Sequence, residues 1–161
     1  IIETSNVILS TNSSAALESI ARTKFDVTII DEASQATIPS VLIPIAKAHR
    51  FILAGDHKQL PPTIISDKAQ KLEKTLFEEL IRIYPFKSQL LNIQYRMNSL
   101  LMKFPNAEFY NNNLKSDSSV DDITINDTSS AEYVFSFFSL GCLSYAVFRL
   151  TNIHIQPLHQ L

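Results

Sequence analysis

The sequence predicts an α/β fold with a parallel sheet, and three observations support this prediction. Residues 26–30 (DVTII) and 50–54 (RFILA) are short, continuous apolar runs. Such runs are typical of strands in a parallel sheet that helices cover on both faces. Segments with helical spacing lie between and after the runs, and alternating strands and helices indicate parallel strands joined by helical crossovers. The composition, 45% hydrophobic and 19% charged, supplies enough apolar material for a core.

Local signals justify the first elements in chain order. Residues 6–10 are mostly apolar and predict a short strand, followed by a polar turn. Residues 15–22 are predicted to be helical, with Ser13 or Ser14 as the capping residue. Residues 26–30 then form the first strand of the continuous apolar type.

The middle of the chain repeats this alternation. Residues 38–49 predict an amphipathic helix with Pro39 near its start, where proline is tolerated. Residues 50–54 form the next strand, which Gly55 ends. Residues 68–84 have helical spacing, and we expect one apolar face of this helix to lie in the core, formed by Leu72, Leu76, Leu80 and Ile83.

The last regular elements predicted are a strand over residues 90–93 and a short helix over residues 98–104. The character then changes, because residues 116–130 are acidic and rich in Ser and Thr, which predicts an exposed loop or linker. Residues 133–148 are uncharged and aromatic. This run is shorter than the roughly 20 residues that cross a bilayer, so we predict a buried strand pair or a non-native tail, with a membrane segment as the alternative.

Two adjacent acids, Asp31 and Glu32, directly follow the strand at residues 26–30. In parallel α/β sheets, ligands bind outside the carboxyl ends of the strands. An Asp there can hold Mg²⁺, directly or through water, and the neighbouring Glu can orient or deprotonate a water that attacks a phosphate. A solvated loop, or acids at a helix N-terminus, remains an alternative interpretation.

Polar residues also follow the strand at residues 50–54, in the segment GDHKQLPP (55–62). Gly55 permits a tight turn, and the two prolines stiffen the chain that leaves it. Gln59 in this turn can donate a hydrogen bond to a terminal phosphate. Further along, Tyr95 and Arg96 offer an aromatic face for a base and a guanidinium for a phosphate. Taken alone, each of these segments also fits an ordinary turn or surface.

Together, FDVTIIDEASQA, FILAGDHKQLPP and LLNIQYRM resemble motifs II, III and IV of superfamily 1 helicases, in that order. The similarity is strongest to the branch that contains senataxin and the nonsense-mediated-decay RNA helicase. It extends from about Asn6 to Leu114 and includes ILST before motif II and FPNAEFYNNNL after motif IV. The resemblance implies an incomplete RecA-like (P-loop NTPase) sheet and the start of a second RecA-like domain.

The resemblance implies a role for each matched residue. Asp31 would coordinate Mg²⁺, and Glu32 would activate the hydrolytic water. Gln59 would contact the γ-phosphate of ATP, and Tyr95 would stack on the adenine. Arg96 would act as an arginine finger, which makes Glu32, Gln59 and Arg96 the catalytic set. Thr11 occupies the position where the family contacts the backbone of single-stranded DNA or RNA.

The implied division of the chain has four parts: residues 1–86 in the first RecA-like domain, 87–114 in the second, a linker at 115–132 and a divergent tail at 133–161. The two glycines, Gly55 and Gly141, cannot form the G-x-x-x-x-G-K-[ST] loop that cradles phosphates. We therefore expect a fragment of an ATP-dependent helicase that is inactive alone. The single cysteine and the absence of a secretory signal at the N-terminus predict an intracellular protein, cytoplasmic or nuclear.

Two other functions remain open from the sequence. The first is a degenerate, non-enzymatic remnant that binds a partner or nucleic acid, with its apolar tail as an anchor. A net charge of −2 gives no overall electrostatic footprint for nucleic acid, although a local groove can still bind a backbone. The second is a different Mg²⁺-dependent phosphohydrolase, which would need further acids close to Asp31, and Asp56 is the obvious candidate.

Overall fold

The computed structural model describes residues 4–121 and 123. Short 3-10 helices occur at Ser14–Ala16, Ala33–Gln35, Asp67–Glu73 and Pro85–Lys87. The α-helices and strands of the described residues are α1 (Glu18–Ala21), β1 (Phe25–Ile30), α2 (Ile38–Ile45), β2 (Ala48–Leu53), α3 (Leu76–Ile83), β3 (Ile93–Gln94), α4 (Ser99–Phe109), β4 (Lys115–Ser116) and α5 (Ser118–Asp121).

The strands form two separate parallel pairs, which confirms the predicted α/β class. β1 and β2 pair in parallel, with partners that run from Phe25 and Ala48 to Ile30 and Leu53. The helix α2 connects them, so the three elements form a βαβ unit. β3 and β4 form the second pair, and α4 connects those two strands.

The core of the described residues lies on one side of the β1–β2 pair. Ile30, Ala33 and Val41 are its buried members, and the partly buried residues that pack against them are Ala36, Ile45, Leu53, Leu76 and Phe77. Because Leu76 and Phe77 open α3, this helix packs against the turn that follows β1. Within residues 4–121 and 123, the expected cover on both faces of the sheet is not present, since Ile29 is 52% exposed and Ile52 48% exposed.

Two expectations for the first 25 residues were wrong. Residues 6–10 do not form a strand: Val7 and Leu9 are exposed, and no strand among the described residues pairs with them. A strand needs a neighbour to satisfy its backbone hydrogen bonds, so the apolar pattern alone did not suffice. The helix predicted at residues 15–22 is divided by Leu17, which has extended dihedral angles (φ −60°, ψ 146°).

The cap of the first helical turn also differs from the expectation. Neither Ser13 nor Ser14 is a side-chain cap; instead, the Thr11 hydroxyl oxygen accepts a hydrogen bond from the backbone N–H of Ser14 at 3.1 Å. The hydroxyl of Thr11 in turn donates to Ser14 Oγ at 2.8 Å. The polar cluster therefore caps the turn, but through a residue three positions before it.

The helix α2 is shorter than predicted because β2 begins early. It ends at Ile45 rather than at residue 49, and β2 starts at Ala48. Pro44 lies inside α2 and lacks the N–H that would bond to the carbonyl four residues earlier, which weakens the last turn. The predicted end of the helix was therefore misplaced by four residues (49 against 45) and the predicted start of the strand by two (50 against 48).

The predicted helix at residues 68–84 is two helices. A 3-10 helix covers Asp67–Glu73, and α3 begins after Thr75, which forms a capping box with Glu78. The expected core face is only partly correct. Leu76 packs against the core and Leu80 is half-buried, but Leu72 and Ile83 are 40% and 49% exposed.

The region after residue 90 has a shorter strand and more helix than predicted. The strand predicted at residues 90–93 is reduced to β3, whereas the helix predicted at 98–104 continues to Phe109. Residues 115–121 of the predicted linker form β4 and α5, and Val120 is buried, so this part is not an exposed loop. The domain boundaries themselves stay a prediction. The rest of the linker, except Ile123, and the tail at 133–161 lie outside the described residues.

No helix within residues 4–121 is both long enough and apolar enough to cross a membrane.

The capping box of α3 provides a test of this fold. Thr75 is fully buried, and its hydroxyl oxygen accepts the backbone N–H of Glu78 at 3.2 Å. We expect Thr75→Ala to lower the free energy of unfolding by about 1–2 kcal/mol, as removal of a helix cap does. Urea denaturation measures the change. Thr63→Ala, at an exposed threonine, is the control, and an equal midpoint for the two variants would contradict the capping role.

Candidate active site

The acidic turn after β1 has an unusual backbone. Glu32 adopts left-handed dihedral angles (φ 53°, ψ 34°), which residues other than glycine, asparagine and aspartate rarely adopt. The Asp31 carboxylate accepts the backbone N–H of Glu32 at 2.9 Å, and the 3-10 helix at Ala33–Gln35 follows at once. A left-handed conformation of this kind costs on the order of 1 kcal/mol, so the surrounding contacts must hold it.

Those contacts come from the turn after β2. The backbone N–H of Ala33 donates to the carbonyl of Ala54 at 2.8 Å, and the N–H of Ala54 donates to the carbonyl of Ile30 at 2.8 Å. The Ser34 hydroxyl oxygen accepts the N–H of Asp56 at 3.0 Å. The two turns that carry the predicted site residues are therefore joined at the carboxyl edge of the β1–β2 pair.

Gly55 is required at this junction because the two turns approach each other closely. A Cβ atom on Gly55 would lie 2.9 Å from the backbone nitrogen of Ser34 and 3.0 Å from its hydroxyl oxygen. Contacts of this length with backbone atoms force the chain to move. The glycine that the sequence predicts as a strand terminator therefore also allows the turns to meet.

Asp56 organises the turn after β2. Its Oδ1 accepts the backbone N–H of Lys58 at 3.0 Å, and its Oδ2 accepts the side-chain amide of Gln59 at 2.9 Å. The same Oδ2 accepts the hydroxyl of Tyr110, which follows α4. Both carboxylate oxygens of Asp56 are thus engaged within the protein, which weakens the hypothesis that Asp56 joins Asp31 in a Mg²⁺ site of another phosphohydrolase.

Glu32 lies in an environment that disfavours its charge. Its Oε2 accepts the side-chain amide of Gln35 at 3.3 Å, whereas its Oε1 is buried and has no hydrogen-bond partner among the described residues. Burial raises the pKa of Glu32, and the charges of Asp31 and Asp56 raise it further. The guanidinium of Arg96 acts in the opposite direction and lowers this pKa. A carboxylate with a raised pKa is a stronger base.

The segment around Tyr95 and Arg96 is shaped by Gln94, a residue that the sequence reasoning missed. The Gln94 side-chain oxygen accepts the backbone N–H groups of Arg96 (2.8 Å) and Met97 (2.9 Å). Its amide nitrogen donates to Ser116 Oγ at 2.6 Å, which ties the turn to β4. The available signal was an amide residue directly before a turn, where such side chains often bond to the backbone.

The structure brings some of the predicted residues together and not others. Asp31, Glu32 and Gln59 lie on the two joined turns, and Arg96 is close enough for its charge to affect Glu32. Tyr95 is 66% exposed, with its ring open to solvent.

The Thr11 side chain bonds within its own turn, beside α2, instead of to the acidic turn. The amide of the adjacent Asn12 donates to Ser40 Oγ in α2 at 3.1 Å.

The acidic turn after β1 has side chains that suit a Mg²⁺ ion whose other ligands are phosphate and water. Asp31 is exposed at the end of β1, and the next residue carries the buried, unpartnered oxygen Glu32 Oε1. Within residues 4–121, no group of three or more His, Cys, Asp or Glu side chains could enclose a metal ion. Mg²⁺ characteristically binds through one or two carboxylates while keeping water and phosphate ligands, so a single available Asp suits it.

The close approach at Gly55 leads to a first prediction for this site. We expect Gly55→Ala to lower the free energy of unfolding by about 1–3 kcal/mol, because the added methyl group meets the backbone of Ser34. Urea denaturation of the purified chain measures this. The control is Lys58→Ala, which changes an exposed side chain in the same turn. Equal stability of the two variants would show that the turns do not meet as described.

The charge on Glu32 leads to a second prediction. Because the pKa of Glu32 is raised above 4.5 in the folded chain, its charged form lowers the free energy of unfolding at neutral pH. This penalty is complete above the raised pKa and disappears as the pH falls below 4.5. We therefore expect Glu32→Gln to stabilise the chain at pH 7 and to have no effect at a pH well below 4.5.

Urea denaturation across this pH range measures the difference, with Glu73→Gln, at an exposed carboxylate, as the control. A loss of stability at pH 7 in Glu32→Gln would mean that its ionised form is favoured by the fold.

Two family models, each described as an AAA domain, match residues 1–67 and 72–147. The second match continues beyond Leu114, where the motif resemblance ends. AAA-type helicase domains have the RecA-like fold of P-loop NTPases, in agreement with the short parallel strand pairs and their helices.

Several helicases are similar to this chain. An uncharacterized ATP-dependent helicase of Methanocaldococcus jannaschii is 53% identical over 134 residues, which are 83% of this chain and 20% of that protein. The ATP-dependent helicase NAM7 of Saccharomyces cerevisiae is 43% identical over 108 residues, 64% of this chain and 11% of that protein. Helicase SEN1 of the same yeast is 42% identical over 121 residues, 71% of this chain and 5% of that protein.

This chain therefore spans a fifth or less of the length of these three relatives. The similarity includes the segments that carry the acidic turn and the turn after β2, and both AAA matches agree with it. The chain belongs to the superfamily 1 helicases, in the branch that contains senataxin and the nonsense-mediated-decay RNA helicase.

Proposed function

We propose that this chain forms part of the ATP site of a helicase that couples ATP hydrolysis to movement along single-stranded DNA or RNA. The observation that carries this proposal is the junction of two turns at the ends of parallel strands, one with Asp31 and Glu32 and the other with Gln59. Ligands of parallel α/β sheets bind at this edge. The names of the relatives, which include ATP-dependent helicases, support the same activity.

Glu32 is proposed as the base that accepts a proton from the attacking water. Its buried Oε1 lacks a hydrogen-bond partner among the described residues, so this oxygen is available to orient a water. Its raised pKa gives it the basicity that such a step needs, and the nearby Arg96 keeps it from rising further. The left-handed backbone of Glu32 is consistent with a residue whose direction is set by function.

Asp31 is proposed to hold Mg²⁺, which when bound neutralises charge on the phosphates. The Asp31 carboxylate is exposed at the end of β1, and its Oδ1 is oriented by the N–H of Glu32. The adjacent acids therefore have separate tasks in this proposal, since Asp31 faces solvent while Glu32 is partly buried.

The remaining roles concern the γ-phosphate and the adenine of ATP, and the strand of DNA or RNA. Gln59 is proposed to donate its side-chain amide to the γ-phosphate, and Arg96 to stabilise the charge that develops on it. The exposed ring of Tyr95 is suited to stacking on adenine. Thr11 is proposed to contact the backbone of single-stranded DNA or RNA, which its exposed position allows.

The domain roles follow from these assignments. Residues 1–86 are proposed to belong to one RecA-like domain, and residues 87–114 to begin a second. The site then lies between the two, because Glu32 and Gln59 come from the first and Tyr95 and Arg96 from the second. We further propose that the protein acts inside the cell, in the cytoplasm or nucleus.

A graft tests the proposed activity directly. The matching 134-residue segment of the Methanocaldococcus jannaschii helicase would be replaced by residues of this chain. We expect ATP hydrolysis stimulated by single-stranded DNA or RNA in the graft. Glu32→Gln should lower kcat by roughly 10²- to 10⁴-fold, because general base catalysis contributes about that much. Glu73→Gln is the matched control, and equal kcat values for the two variants would refute the role of Glu32.

The isolated chain tests the missing phosphate cradle. These 161 residues contain no G-x-x-x-x-G-K-[ST] loop, so we expect ATP turnover at the background rate of the assay. Phosphate release from Mg²⁺-ATP, with and without single-stranded nucleic acid, is the measurement. Steady turnover that Glu32→Gln abolishes would show that the chain holds ATP without that loop.

A further inference from the structure

A hydrogen bond connects two distant parts of the chain beside the proposed phosphate sensor. Tyr110 follows α4, and its hydroxyl donates to Asp56 Oδ2, 54 positions away in the sequence. By the proposed domain division, Asp56 lies in the first RecA-like domain and Tyr110 in the second. The contact therefore joins the two proposed domains, both of which also contribute residues to the proposed ATP site.

The acceptor of this bond is shared with Gln59. The side-chain amide of Gln59 donates to the same Asp56 Oδ2 at 2.9 Å, and its backbone N–H donates to the Asp56 carbonyl at 3.2 Å. Asp56 is itself fixed, because its N–H donates to Ser34 Oγ and its Oδ1 accepts the N–H of Lys58. The direction of the Gln59 amide is thus set by a carboxylate that Tyr110 also holds.

Tyr110 is held in place by the loop that follows it. Its backbone N–H donates to the carbonyl of Asn106 at 3.2 Å, and the N–H of Asn112 donates to the same carbonyl at 2.9 Å. The buried side chain of Asn106 bonds to both the N–H (2.8 Å) and the carbonyl (2.9 Å) of Leu114. Asn111 and Asn112 adopt left-handed dihedral angles, which asparagine tolerates, and they complete this turn.

The Tyr110 hydroxyl is suited to donate a hydrogen bond at every neutral pH. Tyr110 is half-buried, and burial together with the bond to the Asp56 carboxylate raises the pKa of its phenol. The hydroxyl therefore keeps its proton throughout the neutral range. The groups that face the phenol are Asp56, which raises its pKa, and Gln59, whose hydrogen bond lowers it.

We propose that Tyr110 and Asp56 are positioning residues that set the direction of the Gln59 side chain and link it to α4. This inference rests on the proposed role of Gln59 at the γ-phosphate. A shift of α4 relative to the turn after β2 removes one of the two donors on Asp56 Oδ2. The Gln59 amide then bonds to an Asp56 carboxylate that Tyr110 no longer holds, and the direction of the amide changes. The position of the second domain is transmitted to the phosphate sensor in this way.

The test uses the 161-residue chain without nucleotide, so its result does not depend on whether the proposed ATPase activity is correct. The first readout is the NMR signal of the Gln59 side-chain amide, in the wild-type chain and in Tyr110→Phe. We expect a changed chemical shift and an amide proton exchange about two- to tenfold faster, the effect of weakening one hydrogen bond. Tyr84→Phe is the control and should leave the Gln59 signals unchanged.

The second readout is the titration of the Tyr110 phenol, followed by ¹³C labelling of the tyrosine ring. In the wild-type chain its pKa should lie above the ordinary 10.0, and Asp56→Asn should lower it toward that value. This titration tests the hydrogen bond between Tyr110 and Asp56, and the Gln59 amide signal tests the effect of that bond on Gln59.

Two results would overturn the proposal. One is a Gln59 amide signal that is identical in wild-type and Tyr110→Phe chains. The other is a Tyr110 pKa at the ordinary 10.0 in the wild-type chain, a measurement that needs no substitution and therefore stands even where a variant does not fold.

Discussion

The candidate site depends on the direct contact between the turn after β1 and the turn after β2. Two backbone hydrogen bonds that involve Ala33 and Ala54 extend the parallel pairing past the ends of the strands. They bring the turns so close that only glycine fits at position 55. This contact holds Glu32 in its left-handed conformation and places Gln59 on the neighbouring turn. If the turns separated, the acids and the amide would no longer share one edge of the sheet.

The like charges at this edge of the sheet lower the stability of the folded chain. Asp31, Glu32 and Asp56 are three acids of like charge, and Glu32 is also partly buried, so the folded chain bears an electrostatic penalty. Arg96 compensates only part of it, since the pKa of Glu32 remains raised. Penalties of this kind persist where function requires them. A bound cation would reduce the repulsion between the acids, and an attacking water would give the buried Glu32 oxygen a hydrogen-bond partner. The distribution of charge is therefore what the proposed ATP site needs.

The sequence predicted β1, β2 and the residues at their ends because these depend on short-range patterns. An apolar run followed by acids identifies a strand and its carboxyl end, and βαβ geometry then places neighbouring ends together. The division of the helix at Leu17, and the exposure of Val7, Leu9 and Ile29, could not be predicted in this way. They depend on which other segments cover them, and a local pattern does not contain that information. Tyr110 was missed for the same reason, since its partner Asp56 is 54 positions away in the sequence.

The proposed link from α4 to Gln59 would allow the proposed phosphate sensor to report on the position of the proposed second domain. A hydrogen bond transmits displacement only if both of its ends are fixed to their own structural units. Asp56 is fixed by Ser34 and by its own turn, and Tyr110 by the loop closed around Asn106. Each end is held by hydrogen bonds within its own unit, and a relative motion of the two units would break the hydrogen bond between Tyr110 and Asp56. In a two-state element with this arrangement, one change of contact alters the surroundings of the responding group, and the two ends are coupled in that way.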